Sequence, residues 1–188
     1  MPKIPDSVLV HAILACRAMD VPAKAALVDE IFLKQPNLLA SAIAMKSLGV
    51  PLHKIDFLLD ILIVIFIAME KSNYVWPCIS ILELDLNSGR ISAMAQFGEG
   101  LSAELKATAA LQFTDPHPER MLLAYVLSEV NDWVARNGLA ETDNYVILAA
   151  VNMVNCVAYA KATKRHTSGA GRSHEPASKK TSTNSGIR

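Results

Sequence analysis

His53, Asp56 and Asp60 recur at steps of three and four, the spacing that puts side chains on one face of a helix. An imidazole and two carboxylates in that array could hold a divalent cation with help from a second helix. No matching cluster of His or Glu occurs elsewhere in the chain. Acids are also favoured near a helix start by the backbone dipole, and a solvated stripe accounts for all of these residues. No metal ligand is therefore expected. The run Asp115-Pro116-His117-Pro118-Glu119 sets an imidazole between carboxylates, the raw material of general acid–base catalysis. It also reads as a helix start, because proline suits the first turn and Glu119 suits the positive end of the dipole. No Gly-x-Ser-x-Gly elbow and no Gly-rich phosphate loop occurs. The expectation is no catalytic residue and no cofactor. An enzyme with catalytic residues scattered along the chain stands as a third class of function, behind two non-enzymatic ones.

Binding chemistry has three carriers. Residues 44–58 have the skeleton of a DNA-binding helix-turn-helix, with Ala44, Leu48, Val50, Ile55 and Leu58 inside and Gly49 at the turn. The outer face would be Leu52, His53, Asp56 and Phe57, poor chemistry for bases and phosphates, with Lys54 alone in favour. Two packed helices joined by a Gly-Val-Pro turn explain the same pattern. The last apolar helix, from about 143 to 161, leaves a narrow polar stripe of Asn144, Asn152, Asn155 and Tyr159. A buried amide without a partner costs about 1–3 kcal/mol. Asn152, Asn155 and Tyr159 are thus the candidate interaction residues, with partners in this chain or in a second subunit, unless the stripe faces water. The third carrier is the C-terminal segment. From Lys161 to Arg188 there are seven basic residues and one acid, Glu175. The remaining 11 basic and 17 acidic residues make the body acidic, so the net charge of +0 hides an acidic body and a basic tail. The tail could meet nucleic-acid phosphates, but its charges are dilute and it holds no aromatic residue for stacking.

Helices must position these groups. Pro5 and Asp6 start a first helix, with Val8, Leu9, Ala12, Ile13 and Cys16 at helical spacing. Pro22 opens a second, which Pro36 ends. Asn37 is expected to cap a third, from about Leu38 to Leu48, stopped by Gly49. Pro51 opens a long fourth helix, to about Lys71. Residues 79–97 admit two readings. Glu83 and Asp85 alternate with apolar residues before Asn87-Ser88-Gly89, which suits a short β-hairpin. Ile79, Leu82 and Leu86 also share the face of a helix that would end at Gly89, and helix is the preferred reading. Helical patterning returns over 101–113, 121–136 and 143–161.

The longest apolar run, Ile61 to Met69, is half the roughly 20 residues a membrane span needs, so a core helix is expected and no membrane. Ile13-Leu14-Ala15-Cys16 has the outline of a lipoprotein box, but Pro5 and Asp6 stand where a basic leader would be. Cys16, Cys78 and Cys156 are far apart and odd in number, which points to free thiols in a reducing, cytoplasmic compartment. The expected architecture is all-α: an irregular multi-helix bundle over residues 1–161, then a disordered basic tail, 162–188. The leading functional expectation is a non-enzymatic protein-interaction or regulatory module. The alternative is an accessory DNA-associated protein using residues 44–58 and the tail. Two long apolar helices further suggest that part of one is covered by a homodimer mate or another protein.

Overall fold

The computed structural model describes residues 2–98, 102, 105, 114–138 and 140–165. Three helices come first: α1 (Asp6–Ala18), α2 (Val21–Lys34) and α3 (Pro36–Ile43). The Asp20 carboxylate accepts from Ala23 N–H and caps α2, with Pro22 in its first turn. The cap expected from Asn37 does not form. Gln35 takes the cap position of α3, and the Asn37 amide instead donates to Ile79 C=O. The third helix also ends sooner than expected: residues Ala44–Leu48 tighten into a 3-10 turn that closes on Gly49 at φ 78°. That left-handed conformation suits a residue without Cβ.

Helix α4 (Leu52–Lys71) is the hub. All residues from Ile61 to Met69 are buried, which covers its full circumference. Helices α1, α2 and α3 pack around it, as does α7 (Asp143–Tyr159), which in turn carries α5 (Ile81–Gly98) and α6 (Arg120–Asn137). The apolar run of α4 from Ile61 to Met69 is thus covered by the chain's own helices, while Leu52 in its first turn stays exposed. The large apolar side chains left exposed lie mainly on others, such as Leu14 of α1, Phe32 of α2 and Leu82 of α5.

Of the two readings of residues 79–97, the chain takes the helix, which does not stop at Gly89 as expected but runs through it to Gly98, because Gly89 does not adopt the left-handed conformation that would end it. Ser80 and Glu83 form a capping box: Ser80 Oγ accepts from Glu83 N–H, and the Glu83 carboxylate accepts from Ser80 N–H. A short antiparallel pair occurs elsewhere, between β1 (Tyr74–Val75) and β2 (Thr163–Lys164). The first residues of the expected tail are therefore paired to the body; residues 166–188 lie outside the described ones, as does most of the helix expected over 101–113. The extended segment before α5 is held by side-chain amides. Gln35 donates to Pro77 C=O and accepts from Ile79 N–H, so these two backbone groups are satisfied without a ladder. Among the described residues no helix is long and apolar enough to cross a membrane.

Candidate functional site

The polar stripe of α7 does not act as one unit. Asn155 is 2% exposed and lies 3.0 Å from His117 Nε2 through its Oδ1. The other ring nitrogen, His117 Nδ1, accepts from Glu119 N–H at 3.2 Å. An acceptor at Nδ1 puts the ring proton on Nε2, which then donates to Asn155. Both nitrogens are engaged, so the ring is a strut between the 117–119 loop and α7. Asn152 is half-buried and donates to Leu84 C=O of α5 at 3.2 Å. Tyr159 is exposed; its ring meets His117 edge-on at 6.1 Å and carries the Arg90 guanidinium 5.4 Å from its centroid. The two amides thus have partners in this chain, and Tyr159 faces outward.

Beside this stripe lies a cluster that sequence periodicity did not flag. The Glu119 carboxylate, in a residue 1% exposed, accepts from Lys3 N–H at 2.7 Å and Ile4 N–H at 3.3 Å. Burial pushes its carboxyl up from the usual range, against those hydrogen bonds and the Lys3 charge. Lys3 Nζ donates to Ala158 and Ala160 carbonyls, completing the C-terminal end of α7, and lies 5.6 Å over the Trp76 ring. Glu119 therefore does more than favour a helix start: it fastens the first residues of the chain to the start of α6, while Lys3 Nζ ties them to the end of α7. Cys156, next to Asn155, turns toward α5 instead. Burial pushes its thiol up to about 11, so it is protonated at neutral pH and is no nucleophile.

Residues 44–58 depart from the helix-turn-helix expectation. Val50, Ile55 and Leu58 are buried as such a unit requires, but Ala44 and Leu48 are exposed. Lys54, the base expected on the outer face, is buried and bonded to Asp143 and to Thr142 Oγ1. Its ammonium also lies 5.6 Å over the Trp133 ring, which stacks on Phe57. Burial opposes the Asp143 charge, but hydrogen bonds from Lys54 and from Ala140 N–H outweigh it and hold the carboxyl below its usual range. A buried ion pair, not a groove-reading face, is what this stretch builds.

His53, Asp56 and Asp60 line a cleft of about 380 Å³ between α4 and α6, with Tyr125, Glu129 and Arg136. Asp60 is bonded to Lys24 at 2.6 Å, and Glu129 to Arg17 at 2.7 Å. Among the described residues no group of three or more His, Cys, Asp or Glu could hold a metal ion. A second space, also about 380 Å³, runs between α3 and α5 with Asn152 at its base. Asn37, Ala40, Ser41 and Ala44 form one wall, and Ile81, Leu84, Asp85 and Ser88 the other. It is open and mostly apolar, and the side chains lining it from α3 are small. Comparisons with protein-family models, curated proteins and solved structures return no match for this chain.

Proposed function

We propose that the chain is a non-enzymatic helical interaction module whose docking face is the groove between α3 and α5. The observation that carries this reading is the apolar surface left at the groove. Ile81 stands at its rim 64% exposed, and Leu82 and Leu86 continue outward on the adjoining face of α5 at 76% and 56%. Contiguous apolar surface of this kind is uncommon on a chain that works alone. Small residues on α3 let a helix backbone approach closely, and Asn152 offers a polar contact at the base. The occupant that fits is an amphipathic helix. A second copy of this chain supplies one, because the Ile81–Leu86 face of α5 can lie in its mate's groove in a self-complementary contact. The free cysteines, Cys16 and Cys156 buried and Cys78 exposed, support a reducing, cytoplasmic setting for this role.

Sedimentation velocity at micromolar concentration tests the reading. The wild type should sediment as a dimer. Ala40→Arg, at an exposed position that fills the groove without touching the core, should give a monomer with unchanged melting temperature. Leu82→Asp should do the same. A wild-type monomer that binds no apolar dye would refute the docking face.

A further inference from the structure

We propose that the surface formed by Arg90, Tyr159, Lys161, Tyr74, Lys164 and Arg165 binds single-stranded nucleic acid. This surface is distinct from the α3–α5 groove, and it goes beyond the protein-docking role. It arises from the pairing of β1 with β2. Tyr74 and Lys164 are register partners, so their side chains leave the same face of the ribbon side by side. The Arg165 N–H bonds to Asn73 C=O and extends the pairing by one residue. Lys161 lies two residues past Tyr159, whose ring carries the Arg90 guanidinium at 5.4 Å. Lys3 joins the two halves, over Trp76 on one side and bonded to Ala158 and Ala160 carbonyls on the other. Trp76 itself is an anchor, its Nε1 donating to Met69 C=O and to Ser72 Oγ.

Unpaired cations gather at this end of the molecule. Arg17, Lys24, Lys34, Lys54 and Arg120 each pair with a carboxylate. Among the described residues Arg90, Lys161, Lys164 and Arg165 form no ion pair and all are exposed; Lys46, Lys71 and Arg136 are also exposed without an ion pair, but only these four are gathered around two tyrosine rings. Glu83 feels the Lys161 charge, yet its carboxylate is turned to the Ser80 N–H and hydroxyl. Uncompensated cations gathered on the rim of an otherwise acidic body call for a polyanion. Arg172, Lys179, Lys180 and Arg188 follow in the sequence. The tail alone lacks stacking groups; the fold supplies them by setting Tyr74 and Tyr159 at its root. Aromatic rings and a guanidinium plane next to phosphate-binding cations are the means by which unpaired bases are held. A lipid surface fits less well, since the exposed aliphatic side chain of this ribbon, Val75, alternates onto the face opposite Tyr74 and Trp76 is fixed by its indole N–H.

The test uses the full chain and a fluorescein-labelled mixed-sequence 20-nucleotide DNA, read by anisotropy. If Arg90, Lys161, Lys164 and Arg165 each neutralise one phosphate, affinity should fall at least roughly fifty-fold between 50 and 200 mM salt. The combined change R90A, K161A, K164A and R165A should weaken binding at least tenfold at 50 mM salt and flatten the log–log salt slope by about 3. Its melting temperature should match the wild type, because these side chains are exposed. Tyr159→Leu should weaken oligonucleotide binding several-fold and leave heparin binding unchanged, which separates stacking from plain charge. Unaltered affinity in the fourfold variant overturns the proposal. So does equal loss of heparin and oligonucleotide binding in Tyr159→Leu. Binding to vesicles of 30% phosphatidylserine in phosphatidylcholine, without binding to the oligonucleotide, overturns it in favour of a membrane.

Discussion

Lys54→Met removes the ammonium of a buried ion pair and keeps an unbranched apolar stem. The side chains of Lys54 and Asp143 are only 8% and 1% exposed, so water cannot replace the lost partner. Breaking a buried pair by removing one member typically costs about 3–5 kcal/mol. Asp143 keeps the hydrogen bond from Ala140 N–H and sits at the N-terminus of α7, which eases its charge and points to about 3 kcal/mol. For a chain of this length that corresponds to a fall in Tm of about 6–12 °C. The effect has a definite pH sign. The Asp143 carboxyl is held below its usual range in the folded protein, so it contributes stability above the unfolded carboxylate pKa. That contribution is lost as pH falls through the folded value. Without Lys54 the carboxyl protonates sooner on acidification, which relieves the uncompensated charge. The gap between wild type and variant should be widest at pH 7 and narrow toward pH 4. Thermal melts followed by far-UV circular dichroism at both pH values measure it. Adding Asp143→Leu should recover more than half of the loss, since neither charge then remains buried. A Tm change under 2 °C at pH 7, or equal changes at both pH values, would refute the reasoning.

Glu119 carries the opposite sign: with its carboxyl raised by burial, its stabilising contribution is complete below the unfolded carboxylate pKa and is lost as pH rises through the folded value. Glu119→Gln should flatten that loss between pH 4 and 7 in urea melts. Glu119→Ala should cost about 1–3 kcal/mol at pH 7, because the Ile4 N–H is left buried without its acceptor. Ile61→Asp or Ile65→Asp, at positions 1% and 0% exposed, should abolish soluble expression by burying an unpaired charge. A chain ending at Arg165 should keep the wild-type melting temperature, whereas one ending at Lys161 should melt measurably lower because β2 and its pairing with β1 are gone.

Helices are local objects, and their positions were legible in the chain. Pro22, Gly49 and the apolar stretch from Ile61 to Met69 act through the nearest turn, by a preset φ, a left-handed stop or a 3.6-residue period. The choice of helix over hairpin for residues 79–97 was also written there: Ser80-Ile81-Leu82-Glu83 is a capping-box pattern, and its reciprocal bonds form in the structure. The candidate site was legible only in part. Asn152 and Tyr159 face the groove and the solvent, but the partner of Asn155 is 38 residues away at His117. Lys54 looked like an exposed base on a helix start. Its partner stands 89 residues on, and no periodicity links the two. Likewise Glu119 had a complete local explanation as a dipole-favoured acid, while its carboxylate holds backbone groups more than 100 residues earlier. Local rules set backbone conformation because they involve neighbours a turn apart. Which polar groups meet, which charges stay unpaired and which apolar faces stay open were decided only when α4 and α7 packed and brought the chain's ends together.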